Sequence, residues 1–218
     1  MITFPNAKIN LGLDIVEKRP DGYHNLETIF YPIPLCDVLE ITPATRTDAP
    51  DYTFTMYNAA FGGSDDDNLV IKAYKALAAD HKLPKVDISL YKHIPTGAGL
   101  GGGSADAAFA LKMLNELCEL GLSEEQLAGY ASRLGSDCAF FVYNRPMVGE
   151  GRGECLSEFD LCLEDYDLQV ITPAGIAVST KEAYAGIRPH LPEVSLRDAL
   201  ARPVEDWAGI LVNDFEET

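Results

Sequence analysis

The sequence predicts a fold that mixes strands and helices, and three stretches carry that reading. Lys8-Ile9-Asn10-Leu11-Gly12-Leu13-Asp14-Ile15 alternates strictly, with Ile9, Leu11, Leu13 and Ile15 on one face. Val86, Ile88 and Leu90 alternate with Asp87, Ser89 and Tyr91 in a second strand. Ala107, Ala110, Leu111, Leu114, Leu117 and Cys118 recur at helical spacing, with Asp106, Lys112, Asn115, Glu116 and Glu119 off that apolar face. Between the second strand and this helix lies a run from Pro95 to Ser104 with five glycines in seven residues, which suits neither a strand nor a helix interior.

The remaining elements follow in chain order. Arg19-Pro20-Asp21-Gly22 is a turn, because proline presets φ and glycine accepts a positive one. A hairpin strand from Tyr23 to Phe30 comes next. Tyr23 and His24 stand at the turn exit, either as a surface aromatic pair or as a stacking and hydrogen-bonding site for a heterocycle. Val38–Thr42 and Tyr52–Met56 read as strands. Asp65-Asp66-Asp67-Asn68 caps a helix from Leu69 to about Ala79, its acids suited to the helix dipole without a metal. Gly121 ends the helix that follows the glycine run, and Ser123 with Gln126 forms a capping box for another, reaching about Leu134. Leu168–Thr172 reads as a strand, Ser179-Thr180 as the cap of a short helix through Tyr184, and Ser195 as the cap of a helix from Leu196 to about Ala201. A further helix begins at Asn213. The glycine-rich turn Gly149–Glu154 divides the chain into 1–150 and 151–218.

Composition bounds the function. The 218 residues suffice for one large domain or two small ones, and the formal net charge of −17 argues against nucleic acid or an anionic membrane as partner. Cys36, Cys118, Cys138, Cys155 and Cys162 form no C-x-x-C pair, and the four histidines form no H-E-x-x-H, so reduced thiols and no zinc site are expected. The first residues do not read as a signal peptide and no 18-residue apolar run occurs, which predicts a soluble, cytoplasmic protein.

Glycine-rich loops that follow a strand and open a helix bind phosphates, because backbone N–H groups converge on one anion and the helix N-terminus adds positive potential. A Walker A loop needs a lysine before its final Ser or Thr, whereas here Gly103 runs straight into Ser104. Gly97, Gly99 and Gly102 match G-x-G-x-x-G, but the chain then enters another helix rather than a strand ending in an acid. Elsewhere, Lys8, Asn10, Gly12 and Asp14 share the polar face of the first strand, with space beside Gly12 for ligand or solvent. Asp137 precedes the apolar run Cys138–Val142. It is either a helix cap or a catalytic acid beside a cation, since a buried carboxylate is costly unless paired.

Pro95, Gly99-Leu100-Gly101 and Gly103-Ser104-Ala105 resemble the phosphate loop of the GHMP small-molecule kinases. Pro5-x-Ala7-Lys8-Ile9-Asn10-Leu11, Arg19-Pro20-Asp21-Gly22-Tyr23-His24, Asp67-Asn68-Leu69 and Leu134-Gly135-Ser136-Asp137-Cys138 occur around it in the family's order. The resemblance runs from residue 4 to about 216. Arg19–His24 narrows it to the branch whose acceptor is cytidyl-diphospho-methylerythritol, in the non-mevalonate isoprenoid pathway.

The resemblance implies a two-lobed α+β fold. The N-terminal ATP-binding lobe (1–150) would be ribosomal protein S5 domain 2-like. The C-terminal substrate lobe (151–218) would be ferredoxin-like and incomplete, since the family continues past the Asn-Asp-x-Glu position into a second glycine-rich loop. It also implies ATP with its triphosphate on the loop (Pro95, Gly97, Gly99, Leu100, Gly101, Gly102, Gly103 and Ser104), adenine near Asn68, and Mg²⁺ held with help from Ser104. Asp137 would take the proton of the acceptor hydroxyl, and Lys8 would sit between Asp137 and the phosphate. Asn10 would bind the erythritol part. Tyr23 and His24 would bind cytosine, with Thr180 and Tyr184 lining the same pocket and Tyr184 as its second aromatic face. The product would be the 2-phosphate. Two alternatives stand beside this reading: a GHMP kinase for mevalonate, homoserine or a sugar, which needs no cytosine site, and a chain that binds nucleotide and substrate without turnover.

Overall fold

The computed structural model describes residues 1–46, 48, 50–59, 64–172, 183, 184 and 186–217. The chain forms two compact units, each discontinuous in sequence: Met1–Lys8, Ile33–Thr96 and Leu100–Asn144 in the first, and Ile9–Pro32, Gly97–Gly99 and Arg145–Thr218 in the second. The division expected after residue 150 falls inside a strand, β7 (Met147–Gly151), which hairpins to β8 (Cys155–Glu158).

The first unit holds a sheet of β1 (Ile2–Thr3), β4 (Val38–Pro43), β6 (Val86–Tyr91) and β5 (Tyr52–Tyr57), in the order β1-β4-β6-β5. β4 and β6 are antiparallel, with Ile41 opposite Ile88. β5 and β6 are parallel, and the chain between them carries α1 (Leu69–Asp80). Leu39, Ile41, Ile88 and Leu90 are all but fully buried, as the alternation of each strand requires. Helix α2 (Gly102–Leu117) touches α1, α3 (Glu124–Ala131), α4 (Cys138–Tyr143) and β4. A helix with neighbours on so many sides has no purely solvent face. For that reason Asp106, expected off the apolar face, is only 2% exposed. The capping box of α3 forms between Ser123 and Gln126, and the helix ends at Ala131, with turn hydrogen bonds carrying the chain to Leu134.

In the second unit, β2 (Asn6–Lys18), β3 (His24–Cys36), β7 and β8 form the other sheet in that order, Ile29 lying opposite Val148. The first residues of β2 and the last of β3 belong to the first unit. Ile29 and Val148 form a core with Leu196 and Leu200 of α5 (Leu196–Leu200), packed against Leu11, Phe159, Trp207 and Leu211. Leu13, Ile15 and Leu26 form a second core with Tyr184, Ile187 and Phe215. Ser195 caps α5 by accepting from Asp198 N–H at 3.1 Å, as expected.

One expectation fails here. Residues 168–172 form no strand, and Leu168, Val170 and Ile171 are exposed: alternation supplies propensity, but among the described residues no partner strand pairs with them. The helix expected from Asn213 is present as the 3₁₀ helix Asp214–Glu217.

Candidate active site

The glycine loop has the backbone geometry that suits an anion. Gly97, Gly99 and Gly101 have φ of +75°, +73° and +72°. A left-handed residue at every second position turns successive N–H groups toward one concavity, and glycine takes these angles without steric cost. Pro95 and residues 96–99 are exposed, whereas Leu100 is buried and its carbonyl accepts from Lys8 N–H at 3.0 Å. Gly101 is the N-cap of α2 and no side chain caps that helix, which leaves its first-turn N–H groups for an outside acceptor. A Cβ on Gly101 would stand 2.8 Å from the Phe141 ring, and one on Gly102 2.9 Å from Ile94. Both glycines are therefore fixed by packing as well.

Beside this loop lies an ion pair. Lys8 Nζ is 3.5 Å from Asp137 Oδ2, with the lysine side chain 6% exposed and the aspartate 30%. Burial pulls the Lys8 ammonium below the usual lysine range, and the Asp137 carboxylate opposes that pull. Asp137 occupies the N-cap position of α4 yet makes no capping hydrogen bond. Its carboxylate accepts instead from Ser136 Oγ at 3.2 Å and faces the cation. The helix-cap alternative is thereby removed. The same segment approaches Ser104, whose Oγ would be 4.0 Å from a Cβ on Gly135. Burial pushes the Cys138 thiol up to about 11, which disfavours its thiolate form. Asn68 Oδ1 accepts from Val70 N–H at 2.9 Å and caps α1, a structural task at the position expected near adenine.

The expected acceptor residues lie in the second unit. Asn10 Nδ2 donates to Thr28 Oγ1 at 2.9 Å, and Thr28 Oγ1 donates to the Gly12 carbonyl at 2.6 Å. The space expected beside Gly12 is filled: a Cβ there would stand 2.4 Å from Leu196 Cδ2. His24 stacks on Tyr184 with ring centroids 5.2 Å apart and planes 18° apart, and Tyr184 meets Phe215 edge-on at 5.0 Å. Tyr23 is exposed, with the Arg152 guanidinium 4.9 Å from its ring centroid. Thr180 lies outside the described residues.

Sequence reading missed Arg152, which sits in a glycine-rich turn and resembles ordinary hairpin chemistry. It also missed the burial of Asp14. That carboxylate is 4% exposed and its Oδ2 has no hydrogen-bond partner among the described residues. Burial, then Asp214 and Glu27, raise it to about 6, with His190 opposing. The signal available was its position on the face that Lys8 occupies.

A family model described as the GHMP kinases N terminal domain matches residues 68–145, which span the loop, α2 and Asp137. The crystal structure of the Methanococcus jannaschii mevalonate kinase shares the fold at a TM-score of 0.54 and 16% identity, covering 73% of this chain and 56% of that one. The fold and site together define a GHMP small-molecule kinase, an ATP-dependent phosphotransferase. Within that class, a 4-diphosphocytidyl-2-C-methyl-D-erythritol kinase of Bacteroides thetaiotaomicron is 55% identical over the whole of this chain and 79% of its own length. One of Parabacteroides distasonis is 50% identical over the whole chain and 78% of its own. A crystal structure of 4-(cytidine 5'-diphospho)-2C-methyl-D-erythritol kinase superposes at a TM-score of 0.78 with 31% identity, over 100% of this chain and 76% of that one. The chain belongs to the 4-diphosphocytidyl-2-C-methyl-D-erythritol kinase family.

Proposed function

We propose that this chain transfers the γ-phosphoryl group of ATP to a hydroxyl of 4-diphosphocytidyl-2-C-methyl-D-erythritol, giving the 2-phosphate of the non-mevalonate isoprenoid pathway. The observation that carries the mechanism is the Lys8–Asp137 pair, buried on the lysine side and open on the aspartate side, beside an uncapped helix start. The amides from Gly97 to Ser104 bind the triphosphate. Asp137 accepts the proton of the acceptor hydroxyl as its oxygen attacks phosphorus. Lys8 keeps that carboxylate ionised and offsets the charge that gathers on the transferred group. Phosphoryl transfer asks mainly for alignment and charge neutralisation, so these groups suffice.

Magnesium fits the donor set. Nucleotide-bound Mg²⁺ takes most of its ligands from phosphates and water and needs only one or two protein oxygens. Ser104 Oγ would supply one, and the ion would neutralise phosphate charge. Among the described residues no group of three or more His, Cys, Asp or Glu could hold a metal by itself.

On the acceptor side, Tyr184 and His24 bind the cytosine, Tyr23 adds a ring face, Thr180 lines the same pocket and Asn10 holds the erythritol part. The direct stack of His24 on Tyr184 supports an aromatic site here. A base lying between two rings needs a centroid separation of about 7 Å, twice a stacking distance, so cytosine either parts these rings or stacks on an outer face.

The test is ADP release from Mg-ATP by this chain, with the cytidyl acceptor in one reaction and mevalonate in another, and D137N as control. Turnover with the cytidyl acceptor alone, abolished in D137N, is the expected result. Turnover with mevalonate instead refutes the roles given to Tyr23, His24 and Tyr184.

A further inference from the structure

The first unit contains a second buried ion cluster that the mechanism does not use. Lys92 follows β6 directly, and its Nζ contacts Asp37 Oδ2 and, at 2.7 Å, Asp106 Oδ2. Asp37 is 0%, Asp106 2% and Lys92 8% exposed. The other oxygen of Asp37 accepts from His93 N–H at 2.5 Å and Ile94 N–H at 2.8 Å, and its own N–H donates to the Pro5 carbonyl at 2.9 Å.

These contacts bracket the phosphate loop. Lys92, His93 and Ile94 are its entry, and Asp106 lies one turn into the helix at its exit. The exit rests on the entry: a Cβ on Gly102 would meet Ile94 Cγ2 at 2.9 Å and Lys92 Nζ at 3.2 Å. A buried ion cluster adds little stability over a well-packed apolar one. It does fix geometry, since each carboxylate oxygen and ammonium proton must be satisfied in one arrangement. The loop between the bracketed ends has no helix or strand of its own to hold it.

We propose that the Asp37–Lys92–Asp106 cluster is a positioning device for the phosphate loop, holding its entry and exit at one point so that its amides are arranged before the triphosphate arrives. The proposal rests on the reading that this loop holds the triphosphate. Asp37, Lys92 and Asp106 act through the backbone of residues 93, 94 and 102, and are positioning residues. An ordered loop binds more tightly because less freedom is lost on binding.

The experiment measures the ATP dissociation constant by calorimetry on the whole chain, and KM for ATP and for the cytidyl acceptor, in wild type, D106A and D106N. D106A is expected to weaken ATP binding about tenfold while the acceptor KM stays as in wild type. D106N, which keeps an oxygen for Lys92, restores ATP affinity. Wild-type ATP affinity in D106A, or equal losses for ATP and acceptor, overturns the proposal. Should D106A lose its cooperative melt, Asp106→Ser takes its place with the same readouts, and wild-type ATP affinity in that variant overturns the proposal. Wild type that binds ATP but does not phosphorylate the acceptor refutes the proposed function and leaves this test standing. Wild type that does not bind ATP overturns the loop reading and the proposal with it.

Discussion

Lys8 and Lys92 are both buried in the first unit, and they keep different company. Lys8 has Asp137 at 3.5 Å, a carboxylate left 30% exposed. Lys92 sits between two carboxylates that are 0% and 2% exposed, one of which also accepts two backbone N–H groups. A pair open on one side can be reached by a reacting group. A cluster closed on all sides can only hold chain. The same chemistry, an ammonium beside carboxylate, thus suits catalysis or architecture according to what surrounds it.

The comparison breaks most sharply at Lys8. Lys8→Met is expected to lower kcat by about a thousandfold, the scale of losing one charge-stabilising donor, with the ATP dissociation constant little changed. A loss confined to KM would make Lys8 a second Lys92. The alkaline limb of kcat sharpens the point. The lysine acts while charged, and its proton leaves below the usual lysine range. Activity should therefore fall at a lower pH than an ordinary lysine gives, and Lys8→Arg, charged throughout, should remove that limb from whatever activity remains.

The loop glycines come next. Gly101→Ala meets both a positive φ of +72° and the Phe141 ring at 2.8 Å, whereas Gly99→Ala meets the same kind of φ with open space around it. Backbone strain alone costs about 1–2 kcal/mol, so Gly99→Ala should lower the thermal midpoint modestly. Gly101→Ala should lower it more and raise KM for ATP. Equal effects would mean that the Phe141 contact yields freely.

In the second unit, Tyr184→Ala removes the stack on His24. An aromatic pair is worth about 0.5–1.5 kcal/mol, so KM for the cytidyl acceptor should rise up to about tenfold while KM for ATP stays constant. A matching rise for ATP would refute a role specific to the acceptor.

The smallest effect concerns stability against pH. Asp106 stands at about 7 in the folded chain, above the ordinary aspartate value of 3.8. The folded state holds that proton more tightly, so the associated stabilisation is complete below the unfolded value. It is lost as pH rises from about 4 through about 7. Denaturant midpoints across that window should fall more steeply in wild type than in D106N, and parallel slopes would show that Asp106 does not carry the proton.

Much of this arrangement is legible in the chain because its signals are local. Asn68 caps α1 and the Ser123–Gln126 box starts α3, since a cap is decided by residues within one turn of each other. The glycine loop declares itself for the same reason: positive φ at Gly97, Gly99 and Gly101 is a property of glycine, not of its neighbours. Leu168–Thr172 shows the limit. Its alternation is genuine, but a strand exists only where another edge accepts it. Asp106 shows another, because burial of one helix face depends on how many elements surround the helix.

By itself, then, the sequence determined the strand, the phosphate loop, the helix and the residue types able to transfer a phosphoryl group, all through local backbone preference and spacing. Only the tertiary structure decided which carboxylate each lysine meets. It chose, for Asp137, the cation beside it over the helix cap, filled the space beside Gly12 with Leu196, and brought Asp37 and Asp106 together on Lys92 across 69 residues of chain. Charge pairs and packing contacts are long-range in sequence, and their partners are chosen when the sheet and helices pack.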